Sequence, residues 1–342
     1  MIYLREQRKL HPSMEAQDAL KLCYQAAFGA EHLLSDVDGA RKYFENEFEA
    51  VCATQEPLYE NISDKVCRVN LGAWKREGLC ADWLWKIFLL SGEISADSSK
   101  AFAEYAVEAA EEIEGFQGFF GEYLKGGIRA VHHSDRYRCA EQPHYRVVKS
   151  EIARIIPVLQ KISFANAKVV SIDGKAASGK TTVSKVLESV INSQTVHMDH
   201  FFLPPQLRLP HRLGEIGGNV HYERFQNEVL PYLKSGKKFS YRIFDCSIMD
   251  YGETNVIGEC PYIVVEGAYS AHPFFSDYAE VKVFSDVDER EQMRRILVRN
   301  GEKMAKRFSG PEVTDGCLVV LRERCEHFQR NINIMRNIEV YL

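Results

Sequence analysis

Lys168-Val169-Val170-Ser171-Ile172-Asp173-Gly174-Lys175-Ala176-Ala177-Ser178-Gly179-Lys180-Thr181-Thr182 carries three local signals in succession. Residues 168–172 form a short apolar run rich in β-branched side chains, which favours a buried strand. Gly174 to Thr181 fits G-x-x-x-x-G-K-[ST] at every fixed position. A helical stretch follows over 182–191. Strand, glycine turn and helix in that order is the context in which such a turn holds phosphate. Gly174 and Gly179 permit backbone conformations that a Cβ would block. Successive N–H groups can then face phosphate oxygens, and the helix start adds partial positive charge. Lys180 reaches the β- and γ-phosphates, and the Thr181 hydroxyl suits Mg²⁺. The cofactor-binding set is Gly174, Lys175, Ala176, Ala177, Ser178, Gly179, Lys180, Thr181 and Thr182.

Outward from this turn, similar apolar runs recur at 195–198, 262–265 and 281–284, with helical stretches at 182–191 and 287–299 among them. Strands alternating with helices predict an α/β domain, a parallel sheet with helices on both faces. The preceding residues read as mainly α-helical. Ser13 can cap a helix carrying Glu15, Leu20, Cys23, Ala27, Ala30 and Leu34. Helices are also expected over Ala81 to Ser91, stopped by Gly92, and over Lys100 to Glu114. Glu151 to Ile162 contains Pro157, which should kink it or mark an early break. The division is placed between a helical domain, 1–162, and an α/β domain, 163–342.

The chain has 342 residues, 43 Lys plus Arg against 48 Asp plus Glu, and a net charge of −5; 45% of its residues are apolar. That composition excludes a mostly disordered chain. The missing basic surplus argues against a nucleic-acid partner. No run approaches the roughly 18 apolar residues of a membrane span, and the start lacks the apolar core of a signal peptide. These features predict a cytoplasmic protein with no membrane partner. Nine scattered cysteines without a C-x-x-C pair suggest reduced thiols, many of them small core residues. A homo-oligomer is compatible with the sequence.

A phosphate-binding turn does not by itself name a reaction. A guanine-reading N-K-x-D segment is absent, and the strand Tyr262-Ile263-Val264-Val265 ends in the single carboxylate of Glu266 rather than an acidic pair. Transfer to a small hydroxyl needs a carboxylate near the γ-phosphate and cations over the transferring group. Asp199 ends the second strand of the domain, and strand carboxyl ends line the ligand crevice of a parallel sheet. Arg295, Arg299, Lys303 and Arg307 follow at steps of four and share a helix face, with Gly301 as a hinge.

Residues 168–308 resemble the uridine kinase and phosphoribulokinase family of P-loop kinases. The matching pieces are SIDGKAASGKTT (171–182), MDHFF (198–202), NVHYERF (219–225), YRIFDC (241–246), YIVVEGAY (262–269) and DEREQMRRILVRNG (288–301). The resemblance implies that Asp199 activates the acceptor hydroxyl, that Lys180, Arg295 and Arg299 act on the phosphoryl group, and that Thr181, Glu266 and Asp199 lie at Mg²⁺. It places His221, Tyr222, Arg242 and Asp245 on the substrate side. The family's uridine-reading stretch, roughly Y-D-Y-x-x-H-x-R, is altered here: Phe244 to Met249 lacks its tyrosines, histidine and arginine. The expectation is an ATP- and Mg²⁺-dependent kinase for a hydroxyl of a small metabolite, nucleoside-like or sugar-like. The alternative is an ATP-binding switch that controls residues 1–162 with little transfer activity.

In the N-terminal part, Val131 to Arg146 concentrates three His, three Arg and two Tyr. Metal binding would use His132, His133, Cys139 and His144, but adjacent His residues in an extended segment diverge and no standard zinc spacing appears. Arg forks suit an anion, and a plain surface loop is the default. Glu31-His32 has the same open status. Gln17-Asp18-x-x-Lys21 reads as an ordinary solvated helix face, and Trp74, Trp83 and Trp85 as core.

Overall fold

The computed structural model describes residues 2–30, 34–92, 98–308 and 338–341, with side chains described up to 302 except at Asn300. Glu31-His32 and the side chains of Lys303 and Arg307 lie outside the described residues. The chain forms two units, Met1–Arg154 and Ile155–Leu342. Pro157 explains why the division precedes the expected 162/163. It sits in the first turn of a new helix, Ile156–Ala165, after a short one, Ser150–Ala153. A proline is tolerated there and not in a helix interior. The helix Ile156–Ala165 packs on the second unit's sheet.

The first unit is helical with one small sheet. The helix Ala16–Phe28 starts with a capping box in which Glu15 and Asp18 bond each other's backbone N–H. Ser13 is not its cap; its hydroxyl bonds Glu141 at 2.5 Å. The apolar stripe Ala19, Leu20, Leu22, Cys23 and Ala26 is buried, and the helix packs against Ser98–Glu112. Strands β1 (Tyr59–Asn61), β2 (Val66–Asn70) and β3 (Tyr145–Lys149) form an antiparallel sheet in that order. The sequence reading missed this sheet: β2 and β3 pair across more than seventy residues, Val66 opposite Lys149, so no local turn announces them. Trp74, Trp83 and Trp85 are core residues, as expected.

The second unit has an α/β P-loop fold. Its strands are β4 (Val169–Gly174), β5 (Ser193–His197), β6 (Phe239–Asp245), β7 (Asp250–Ile257), β8 (Tyr262–Glu266), β9 (Val281–Ser285) and β10 (Ile338–Tyr341). The main sheet has the order β10-β9-β4-β8-β5. Its four strands β9, β4, β8 and β5 are parallel, and β10 is antiparallel at the edge. The four strands foreseen from the sequence are these parallel strands. β4 is buried throughout. Strand alternation sends Val169, Val196, Ile263 and Val265 to one face, where they meet an aromatic layer including Phe201, Tyr222, Phe225, Tyr241 and Phe275. The helix Lys180–Ile191 packs against β4, β5 and β8 through buried Leu187, Val190 and Ile191. β6 and β7 form a separate hairpin. Parallel register brings Gly174, His197, Glu266 and Ser285 to one edge, where ligands bind in such sheets. Among the described residues no helix is long and apolar enough to cross a membrane.

Candidate active site

The glycine turn follows β4 directly. Register pairs Gly174 with Ser285, and a Cβ on Gly174 would stand 2.1 Å from the Ser285 carbonyl oxygen. Gly179 has φ 104, with open space around it, so its requirement is conformational. Ala177 also takes a left-handed φ of 56, a strained setting for a residue with a Cβ. The Ser285 hydroxyl donates to the Ser178 carbonyl at 3.2 Å. The buried Ser178 hydroxyl has no partner among the described residues, an uncommon state in native structures that marks a place for a ligand oxygen or water.

Buried Asp173 braces the turn from behind. Its carboxylate accepts from the N–H groups of Gly174 at 2.6 Å, Tyr269 at 3.0 Å and Ala271 at 3.0 Å. Burial nonetheless pushes its pKa up, against the pull of those N–H groups and of Lys180. Lys180 donates to the carbonyls of Gly174 at 2.9 Å and Lys175 at 2.8 Å. Burial lowers its pKa, and Asp173, Glu266 and Asp199 oppose that shift.

At the strand ends, the buried Glu266 carboxylate accepts from the Thr181 hydroxyl at 3.2 Å and pairs with His197 Nδ1 at 2.7 Å. Burial would raise the Glu266 pKa, but His197, Lys180 and Thr181 together leave it lowered. The His197 hydrogen bond to Glu266 raises the histidine's own pKa. Gly267 follows because a Cβ there would stand 2.7 Å from the Met198 Cβ. Asp199 lies in a 3₁₀ turn after β5, Met198–Phe201. It is open to solvent yet recessed among protein atoms, so desolvation and then the nearby Glu266 charge raise its pKa, while Lys180, His197 and Arg299 lower it. The Asp199 carboxylate has no hydrogen-bond or ion-pair partner among the described residues.

The helix Glu289–Phe308 contributes the cations, and Gly301 interrupts it with φ 76 and ψ 174, as the sequence suggested. Arg295 donates to the Ala177 carbonyl at 3.2 Å and to Glu291 at 2.7 Å. Gln292 donates to the Ala176 carbonyl at 3.0 Å. Arg299 lies within electrostatic reach of both Lys180 and Asp199. Lys180, Thr181, Asp199, Glu266, Arg295 and Arg299 therefore meet at one edge of the sheet. Among the described residues no group of three or more His, Cys, Asp or Glu could hold a metal by itself. One hydroxyl and two carboxylates suit Mg²⁺, which takes few protein ligands and fills its shell with water and phosphate oxygens.

The expected substrate-side residues divide. The backbone N–H of His221 donates to the Phe201 carbonyl at 2.6 Å, and its Nδ1 is buried without a described partner. Tyr222 is a core residue, 2% exposed, stacked on His272 and donating its hydroxyl to the Ile216 carbonyl at 2.8 Å. Arg242 lies over the Tyr251 ring at 4.3 Å. Asp245 accepts from Ser247 N and Oγ, at 2.7 and 2.6 Å, and so closes the β6–β7 turn. Tyr222 and Asp245 thus have structural partners that account for them. The sequence reading missed Asp173, His197 and His200. His197 was within reach, because it is the last residue of β5 and strand ends line the crevice of a parallel sheet.

In the first unit, Asp18 and Lys21 are not a solvated face. Fully buried Asp18 accepts from His133 Nδ1 at 2.8 Å, Ser134 N at 3.0 Å, Ser134 Oγ at 2.7 Å and Glu15 N at 3.1 Å. Lys21 donates to the Val131 carbonyl at 3.0 Å, and burial lowers its pKa to about 8. In the 131–146 segment, Arg136 pairs with Glu15, Arg138 with Asp135 and Arg146 with Glu47. Each of these guanidiniums has an acidic neighbour, and no metal cluster forms among the described residues. Of the described cysteines, Cys23 and Cys67 are buried, whereas Cys52, Cys80, Cys139 and Cys246 are exposed, so the thiols are less often core than expected.

No protein-family model and no curated protein matches the chain. Solved structures are similar to part of it, two of them as follows. One is a candidate fructose transport system kinase from Silicibacter sp. TM1040, at 22% identity and TM-score 0.40, covering 47% of this chain and 89% of that one. The other is a candidate uridine kinase from Bacillus stearothermophilus, at 16% identity and TM-score 0.32, covering 46% of this chain and 98% of that one. At these values neither adds weight to the reaction, and the P-loop assignment of the second unit rests on its own strand order, turn and following helix.

Proposed function

We propose that the second unit is an ATP-dependent kinase that transfers the γ-phosphate to a hydroxyl of a small metabolite, nucleoside-like or sugar-like. The observation that carries this reading is the Asp199 carboxylate. It has no described hydrogen-bond or ion-pair partner, and it lies in the field of Lys180 and Arg299 at the mouth of a phosphate-binding turn. Asp173 and Glu266 beside it are both engaged by protein groups, so of these three carboxylates Asp199 is the one left facing solvent for a ligand.

The N–H groups of the turn and the start of the helix Lys180–Ile191 bind the polyphosphate. Lys180 exchanges its two carbonyl contacts for phosphate oxygens. Thr181, Glu266 and Asp199 would hold Mg²⁺, which supplies charge neutralisation across the β- and γ-phosphates. Asp199 orients the acceptor hydroxyl and takes its proton as the oxygen attacks, a role its raised pKa favours. Arg295 and Arg299 offset charge on the transferring group.

Incubation with γ-labelled ATP and a panel of nucleosides and sugars tests the proposal. Stoichiometric phosphorylated product is expected. Tight ATP binding without product from any acceptor would replace the kinase with the nucleotide switch.

A further inference from the structure

His200 follows Asp199 directly and is held by a hydrogen-bond chain from the hairpin. Asn255 Nδ2 donates to the Tyr241 hydroxyl at 2.7 Å, and that hydroxyl lies 3.2 Å from His200 Nδ1. A phenol that accepts from the Asn255 amide can give its own proton to Nδ1, and the neutral ring then carries its proton on Nε2. Nε2 has no partner among the described residues, and it is not among the buried atoms lacking one, so it reaches solvent. On its other side, the His200 ring lies 5.1 Å, centroid to centroid, from the His197 ring that bonds Glu266. The backbone is fixed as well, because Arg224 donates to the His200 carbonyl at 3.3 Å. In that tautomer a donor held in place by the hairpin belongs to the residue that follows the proposed base.

We propose that His200 Nε2–H is a specificity-determining donor that reads a second, uncharged oxygen of the acceptor beside the hydroxyl being phosphorylated, so that the preferred acceptor is a vicinal diol or an α-hydroxy carbonyl compound. This rests on the kinase reading. Tyr241 and Asn255 act through His200 as positioning residues, fixing its tautomer and ring plane. A site that hydrogen-bonds a substrate oxygen discriminates against the analogue lacking it. At a solvent-reachable donor the expected discrimination is about 10- to 100-fold.

The test compares the best acceptor from the nucleoside and sugar panel with each of its mono-deoxy analogues, in the wild type, His200→Asn, His200→Gln and Tyr241→Phe. Asn can accept from Tyr241 near the Nδ1 position but offers no donor where Nε2 stands, whereas Gln places an amide N–H closer to it. In the wild type, one deoxy analogue should lose about 10- to 100-fold in kcat/KM. That discrimination should collapse in His200→Asn, chiefly through acceptor KM, with the KM for ATP unchanged. His200→Gln should restore part of it, and Tyr241→Phe should weaken it. A His200→Asn enzyme that keeps the wild-type discrimination overturns the proposal and leaves the kinase reading standing. A wild type that phosphorylates nothing removes the kinase reading first.

Discussion

The charged clusters at the centre of the first unit and at the glycine turn of the second are built differently. In the first, Asp18 bonds His133, and His11 is held between Glu60 at 2.9 Å and Glu141 at 3.0 Å. Buried Arg68 donates to Gln25 and Gln7. In the second, Lys180 rests on backbone carbonyls and Asp199 on no described partner. A buried polar group left unpaired costs stability, so the buried groups of the first unit are paired, whereas Asp199 faces solvent and stays open to a ligand. The cleft beside the first cluster agrees with this. It is lined by His11, Glu60, Arg68, Tyr137, Glu141 and Tyr145, residues largely engaged with one another.

Substitutions can break this contrast. Lys180→Ala should cut turnover by about 10³-fold or more while leaving the thermal midpoint close to wild type. Near-wild-type phosphate transfer by that variant would mean that the turn works without its lysine. Asp18→Ala should do the reverse, costing about 2–4 kcal/mol of stability because His133 and Ser134 are left as buried donors without their acceptor. Denaturant unfolding reads this directly, and a loss below about 1 kcal/mol would remove Asp18 as the hub.

A pH series sharpens the same point. His133 is pushed down from 6.5 to about 4, first by burial and then by Arg68 and Lys21, with Asp18 opposing. Between those values the unfolded chain holds the extra proton, so acid favours unfolding. The stabilisation is complete above about pH 6.5 and lost as pH falls toward 4, amounting to no more than about 3 kcal/mol. His133→Gln should flatten that slope in unfolding curves taken from pH 4.5 to 7.5; an unchanged slope would place the titration elsewhere. The smallest effect is expected for Gly179→Ala, where φ 104 costs about 1–2 kcal/mol of strain without a clash. Its ATP affinity should fall more than its melting temperature.

What was legible in the sequence followed from local pattern. The parallel strands, the glycine turn, the break at Pro157 and the hinge at Gly301 each lie in a few consecutive residues. Lys180 and Thr181 were read from the glycine-turn motif, Asp199 from the rule that strand ends line the crevice of a parallel sheet, and Glu266 from the family resemblance. What was missed depends on distant pairing. The β1–β2–β3 sheet joins segments far apart in sequence, and Asp18 reads as a surface residue until the 131–134 segment is laid over it. Tyr222 belongs to the aromatic core, which periodicity within a seven-residue helix does not announce.

The most direct measurement is single-turnover transfer from γ-labelled ATP by Asp199→Asn, with ATP affinity measured on the same preparation. The account predicts ATP binding within a few-fold of wild type and transfer slowed by at least about 10²-fold, the contribution expected of a positioned base. Wild-type transfer rates from the Asn variant, to the same acceptor, would contradict it.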